Sequence, residues 1–279
     1  RMQILVFNQK YVETAHTLEI RTGLKIQKGE WKPERGGAYI IYGAEKEVDN
    51  LLQIKKDLGC IFIIMNFLSL DEIKDTKYGK LLRQNICLEQ DIELVKEFTD
   101  NQQIPSQMIV HEAFQNKNDG ERPIDFIYYE TTELKHLFTD PSIKSVDFKD
   151  KINYSVNQLT SFLVKAKTYI SYKQNDWVNI NKALASGCKV ISCMESKGMM
   201  ELYDPYVSFQ GEINLDCVVI EPDYDQFQKT VITYSLNKYL YIVKQIYGEV
   251  KKTNIDSPTG EAENCRIGDN GEQAKEKEQ

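Results

Sequence analysis

Several residues able to carry out acid–base or hydrogen-bonding chemistry directly follow apolar runs of the chain. Glu89 and the adjacent pair His111 and Glu112 do so in the first half, and the polar loop 172–176 does so in the second half. Carboxylate and imidazole groups accept protons from hydroxyl groups, and polar loops hydrogen-bond substrates. Ligands of open parallel α/β sheets bind beyond the carboxyl ends of the strands, so position makes these residues candidates for a site.

The elements that must position these residues alternate between strand and helix. Residues 9–36 show only weak alternation and a turn at Thr22-Gly23, so we expect a hairpin or an irregular segment there. Apolar spacing in the rest of the first half predicts strands at residues 2–7, 38–42, 60–67, 86–88 and 107–111, and helices at 45–58, 78–84 and 91–99.

The second half repeats this alternation, and a long amphipathic helix is expected at residues 225–247. The pattern predicts an α/β fold of two Rossmann-like domains, at residues 2–116 and 117–250, divided at the polar, turn-rich segment 117–122. Residues 251–279 are polar and are expected to form a disordered tail or a linker to further domains. The other predicted elements of this half are strands at 124–129, 143–148, 168–172 and 189–193, and helices at 132–138, 155–166 and 178–185.

Composition excludes some partners. The chain of 279 residues has 35 basic and 42 acidic residues and a net charge of -7, with no sustained basic run, so nucleic acid is not expected as a partner. No apolar run reaches the roughly 20 residues that span a bilayer, and the N-terminal run is too short for a signal peptide. We expect a cytoplasmic protein without a transmembrane segment.

The residues that bind metals are dispersed. The six cysteines and three histidines form no close pairs with the spacing of a zinc site, and no HExxH motif occurs. The DxD spacing occurs at Asp223 and Asp225, without a histidine or cysteine nearby. We therefore expect neither a disulfide framework nor a metal.

A small-residue turn separates two elements of the second half. In NINKALASGCKVIS, residues 179–192, we expect Gly187 to end a helix in the left-handed conformation so that the next strand can dock closely. Packing alone can explain this turn. Alternatively, the start of the same helix, residues 177–181, faces a cleft and holds an anionic group with its free amides.

The wider segment TYISYKQNDWVNINKALASGCKVIS, residues 168–192, resembles the donor-binding segment of GT-B glycosyltransferases. In that family a strand, a polar loop and a helix ending in EALA, a small residue and glycine precede an apolar strand; the motif-level match here covers residues 183–192. The resemblance implies a small GT-B fold, with two Rossmann-like domains facing across a cleft and a nucleotide-sugar donor bound by the second.

Residues of this chain take donor-binding roles by that resemblance. Family members that hold the donor ribose with two glutamates would place them at Gln174 and Lys182, so Asn179 or Asn181 is expected to contact the ribose instead. The resemblance places the diphosphate near Thr131, Thr132 and Lys135, and the nucleotide base near Phe148 and Lys149. The alternative for Lys135 is a solvated helix face, and the alternative for Phe148 is core packing. The complete expected donor site is Thr131, Thr132, Lys135, Phe148, Lys149, Tyr172, Lys173, Gln174, Asn179, Asn181 and Lys182.

The first domain would supply the catalytic base if the enzyme inverts the anomeric carbon. His111 and Glu112 are the leading candidates because they directly follow a predicted strand, and Glu89 and His16 are the others. A retaining enzyme would need no such base, and the sequence leaves the stereochemistry open.

The function expected is metal-independent transfer of a sugar from a UDP-, GDP- or dTDP-linked donor to a hydroxyl of a glycan or related acceptor. No cofactor is expected beyond this donor substrate. Two alternatives stay open: a nucleotide-sugar epimerase on the same fold, and a catalytically degenerate GT-B module that binds a glycan or a protein.

Overall fold

The first half of the chain folds into a parallel sheet. The computed structural model describes residues 2–117, 119–128, 134, 136–147, 156–172, 175–216 and 219–256. Both faces of this sheet are covered, which explains why its strands are rich in buried Ile, Leu and Tyr. The strands lie side by side in the order β1 (Gln3–Val6), β2 (Ala38–Tyr42), β3 (Ile61–Met65), β4 (Ile86–Glu89) and β5 (Ser106–Met108).

The chain adds segments on both sides of β1. Ile26 forms a parallel bridge with Ile4, so the segment that follows the first helix lies outside β1. The chain then passes to the other side of β1 to form β2. This order is that of a doubly wound sheet, and its topological switch point lies between the carboxyl ends of β1 and β2.

A helix replaces part of the irregular segment expected at residues 9–36. α1 (Val12–Thr22) follows a 3₁₀ turn at Gln9–Tyr11 and ends at Gly23, whose φ of 70° lies in the left-handed region. The expectation of a hairpin or irregular chain is wrong over this stretch. The buried stripe of α1 is short, with Ala15 and Leu18 among polar neighbours, and so gives little periodic signal.

The remaining helices of the first half cover the opposite face of the sheet. Their apolar residues form one core with that face, and α1 contributes to a second core on the other face. The helices are α2 (Val48–Leu58), α3 (Leu70–Ile73), α4 (Lys77–Arg83) and α5 (Ile92–Asp100).

The second half forms another parallel sheet, whose described strands run in the order β10-β9-β8-β6-β7. Its switch point lies between β6 and β8. The predicted α/β fold with parallel sheets is confirmed and is compatible with two Rossmann-like units, while the domain boundary at residues 116/117 stays a prediction. The strands are β6 (Ile124–Tyr128), β7 (Ser145–Asp147), β8 (Ala166–Ser171), β9 (Lys189–Ser192) and β10 (Ser208–Phe209).

Four helices pack on one face of the second sheet, where Trp177 is fully buried in the core. They are α6 (Val156–Leu163), α7 (Trp177–Ala185), α8 (Lys197–Tyr203) and α9 (Tyr224–Phe227).

The last helix returns to the first sheet. A π-helical turn at Gln228–Ile232 leads into α10 (Thr233–Asp256), which extends beyond the expected end at residue 247. Its buried residues Tyr239, Val243 and Ile246 belong to the same core as α1. α10 thus packs on the half of the chain that contains β1 and α1.

The small-residue turn after α7 has a packing explanation. Gly187 has a φ of 76°, and the Cys188 N–H donates to the Ala183 carbonyl at 2.9 Å, as in a Schellman C-cap. The Arg122 guanidinium donates to the Ser186 carbonyl at 2.7 Å and would lie 2.8 Å from a Cβ at position 187. Glycine is therefore required here both by φ and by the arginine beside it.

Candidate functional site

A buried carboxylate, Asp176, links the end of β8 to the start of α7. Asp176 accepts hydrogen bonds from the Tyr169 hydroxyl at 2.5 Å, the Ser171 hydroxyl at 2.7 Å and the Asn179 amide at 2.7 Å. Burial, and then the neighbouring carboxylate, raise the pKa of Tyr169 well above its ordinary value, so this phenol stays a donor. Asp176 thereby holds the start of α7 against the carboxyl end of β8. Sequence reasoning included it in the loop but assigned it no role.

Two expected donor-binding residues flank this carboxylate and are partly exposed. Tyr172 follows the last residue of β8 and packs against the apolar cluster that contains Ile170 and Ile191. Asn179 lies in the first turn of α7 and uses one amide hydrogen on Asp176. Both residues lie at the carboxyl end of the strand that borders the switch point, where a ligand could reach them.

Asn181 lies in a buried network between the two halves. Its amide nitrogen donates to the His111 carbonyl at 2.7 Å, and its oxygen accepts from the Tyr203 hydroxyl at 2.7 Å. The Tyr203 hydroxyl in turn accepts from the Gln90 amide at 3.0 Å. Asn181 is 1 % exposed, so its hydrogen-bonding groups serve this contact between the halves.

Lys182 forms a second buried contact between the halves. Its Nζ lies 3.5 Å from the Glu13 Oε2 of α1, and the Thr160 hydroxyl donates to the other Glu13 oxygen at 3.4 Å. Burial lowers the pKa of Lys182, and the Glu13 carboxylate acts against that change. Lys182 is therefore paired within the protein.

Asp91 forms a third contact between the two halves, which sequence reasoning missed. It caps the N-terminus of α5 by accepting from the Glu93 N–H at 2.8 Å. It also accepts from the Trp177 indole at 3.2 Å and the Ser196 hydroxyl at 3.0 Å, both on the second half. An aspartate before an amphipathic helix predicts a cap, but its partners 86 and 105 residues away give no local signal.

Glu89 is fully buried at the end of β4. One oxygen accepts from the Gln90 N–H at 2.7 Å and the Asp91 N–H at 3.1 Å, and the other accepts from the Asn66 amide at 2.6 Å. Burial is the largest influence and raises the pKa of Glu89 to about 8, against these hydrogen bonds. The residue is an internal group whose charge state changes near neutral pH.

His111 and Glu112 lie together, beside a cavity between α1 and α10. The Glu112 carboxylate forms a two-point hydrogen-bonded ion pair with Arg21 and accepts from the Gln228 amide at 2.9 Å. His111 is buried, its ring centroid lies 5.1 Å from that of Phe67, and burial lowers its pKa to about 4. Its imidazole is therefore neutral at neutral pH, the form that can accept a proton.

His16 lies apart from these residues. It is about half exposed on α1, and its Nδ1 lies 3.0 Å from the Glu19 carboxylate. Among the four expected bases, the structure thus brings His111 and Glu112 together and links His111 to Asn181.

Seven of the expected donor-binding residues lie outside the described residues. They are Thr131, Thr132, Lys135, Phe148, Lys149, Lys173 and Gln174.

The described part of the chain has no group of three or more His, Cys, Asp or Glu residues that could hold a metal ion. Within the same ranges, no helix is both long and apolar enough to cross a membrane. Comparison of the chain with protein-family models and with curated proteins found no match.

Proposed function

We propose that this chain is a metal-independent glycosyltransferase of the GT-B type, with its nucleotide-sugar site at the carboxyl edge of the second sheet. The observation that supports this proposal is the position of α7. β8 borders the switch point of its sheet and leads through one polar loop into this helix. The segment that resembles a donor-binding motif therefore lies where doubly wound sheets bind ligands.

The described residues suggest how the donor is held. Tyr172 offers a partly exposed ring and hydroxyl, and Asn179 offers an amide, on either side of the buried Asp176. The free amides at the start of α7 favour a nearby anionic group such as a diphosphate. Because Lys182 is paired with Glu13, the cation opposite the leaving phosphate would be another of the predicted lysines.

The first sheet would supply the acceptor side. His111 is the best candidate for the base because its imidazole is neutral, whereas the Glu112 carboxylate is occupied by Arg21 and Gln228. A base must come within hydrogen-bonding reach of the acceptor hydroxyl, so side-chain movement around this buried ring would be part of the reaction.

Ligand-induced thermal stabilisation tests the donor site. At a concentration of about 100 Kd, UDP, GDP or dTDP should raise the unfolding free energy by about 2.7 kcal/mol, which is roughly 5–10 °C in Tm for a chain of this size. Tyr172→Ala and Asn179→Ala should reduce the shift, and Tyr234→Ala, at an exposed position on α10, should not. A Tm that no nucleoside diphosphate changes would contradict the proposal.

A second candidate, a GT-B-like module that binds without turnover, is favoured by the contacts of Asn181 and Lys182. Both residues were expected to bind the nucleotide sugar, and both instead form buried contacts between the halves. Incubation with labelled nucleotide sugars, with and without a panel of hydroxyl acceptors, separates the possibilities. Transfer to an acceptor supports the enzyme, an epimerised donor formed without acceptor indicates an epimerase, and binding with neither product supports the module.

A further inference from the structure

The cavity beside His111 is small and enclosed on several sides. It lies between α1, the end of β2 and the start of α10, and its volume is about 20 Å³. A cavity of about 10–15 Å³ is enough to hold one water molecule, so this cavity accommodates about one. Its apolar walls include Leu18, Ile109 and Leu236.

Two residues that line this cavity each carry a buried polar atom that finds no partner among the described protein atoms. The two atoms are the hydroxyl of Tyr42, the last residue of β2, and the Nε2 of His111. Tyr42 is 0 % and His111 is 5 % exposed, and their ring centroids are 6.2 Å apart. Leaving a buried hydroxyl or imidazole nitrogen unpaired costs about 1–3 kcal/mol, which makes two such atoms beside one cavity uncommon.

Three of the other four polar side chains around the cavity are engaged, and Thr14 is the fourth. Arg21 and Glu112 pair with each other, and the Thr17 hydroxyl donates to the Glu13 carbonyl at 3.1 Å. Among the residues around this cavity, Tyr42 and His111 carry side-chain polar atoms that are both buried and without a described partner. A ligand that serves both must be able to donate and to accept.

We propose that this cavity is a binding site for one internal water molecule, which bridges the Tyr42 hydroxyl and the His111 Nε2. A phenol can donate or accept, and each nitrogen of a neutral imidazole either donates or accepts, so one water satisfies both groups in either tautomer. The site is separate from the proposed donor site. It includes His111, the proposed base, but the water is inferred from packing alone and does not depend on that role.

The bridging water has a structural consequence for the contact between the halves. It holds the His111 ring against Phe67 and Tyr42 while the carbonyl of the same residue accepts the Asn181 amide. The water thus helps to fix the residue through which the first sheet contacts α7.

Thermal unfolding of Tyr42→Phe tests the proposal through the sign of its effect. Removing a hydroxyl that binds water should lower Tm by roughly 2–6 °C, whereas removing a hydroxyl without a partner should leave Tm unchanged or raise it. Tyr234→Phe, at an exposed position, is the matched control and should not change Tm. An unchanged or higher Tm for Tyr42→Phe overturns the proposal.

A crystal structure of the unaltered protein at a resolution that shows ordered water provides the direct measurement. The expected result is one water within 3.5 Å of both the Tyr42 hydroxyl and the His111 Nε2. The Tyr239 hydroxyl, which also lacks a described partner, belongs to the same core. A water on Tyr42 and Tyr239 alone, or no ordered water in the cavity, overturns the proposal.

Discussion

Replacing Glu89 with glutamine should change how stability depends on pH. The carboxyl is fully buried, and its pKa is about 8 in the folded chain against an ordinary value of 4.5. Between these values the folded state holds a proton that the unfolded state has released. Stability from Glu89 is therefore fully present below pH 4.5 and is lost as pH rises through 8.

His111 acts in the opposite direction. Burial lowers its pKa from 6.5 to about 4, so between these values the unfolded state binds the additional proton. Stability from His111 is present above pH 6.5 and is lost as pH falls through 4.

The two slopes combine into a predicted profile. Each group changes the unfolding free energy by up to about 1.4 kcal/mol per pH unit. The slopes oppose each other from pH 4.5 to 6.5, where the profile should be nearly flat. From pH 6.5 to 8 only the Glu89 slope of the two remains, and the contribution of Glu89 to the unfolding free energy should fall by about 2 kcal/mol.

Urea unfolding between pH 4.5 and 8, monitored by circular dichroism, measures this profile. Glu89→Gln should stabilise the chain increasingly, relative to the unaltered protein, as pH rises. Any change in the hydrogen bond to Asn66 adds a constant, pH-independent offset to the difference in unfolding free energy between the two proteins. The contributions of the other titrating groups cancel in that difference. Parallel profiles for the two proteins between pH 6.5 and 8 would falsify the assignment of a neutral buried Glu89.

Two further substitutions test the packing around α7. Lys182→Met should destabilise the chain by roughly 3 kcal/mol because it leaves the largely buried Glu13 carboxylate without its cation. Adding Glu13→Leu should recover most of this loss in urea unfolding, and a double variant as unstable as the single one would contradict the ion pair. Gly187→Ala should lower the unfolding free energy by about 1–3 kcal/mol, because alanine is strained in the left-handed conformation and its Cβ would crowd Arg122. Gly211→Ala, at an open position, is the control and should lower it by less than about 0.5 kcal/mol. Equal effects of the two substitutions in thermal unfolding would refute this account.

Much of the alternation of strands and helices was predictable because it depends on local spacing. Apolar runs such as residues 38–42 and 61–65 are buried along their length, as expected for parallel strands covered on both faces. α1 was not predicted, since Ala15 and Leu18 are too few to stand out against its polar residues. The edge segment at Ile26, which makes the first sheet doubly wound, rests on a single bridge and has no pattern of its own.

The candidate site was predictable in position and not in contacts. Glu89, His111 and Tyr172 were chosen because they follow strands, and the structure places them at or beyond strand ends. Their surroundings could not be predicted, because the partner of Asn181 is 70 residues away in the chain. Burial of Lys182 likewise follows from the approach of α1, which the sequence did not reveal.

By itself the sequence determined which segments are apolar, where the chain must turn at Gly187, and which polar residues follow strands, because these properties depend on neighbouring residues. The tertiary structure decided which polar groups are buried and what they contact. Asn181, Lys182 and Asp91 join the two halves only when the sheets pack together, since desolvation and hydrogen-bond partners arise from residues far apart in the chain.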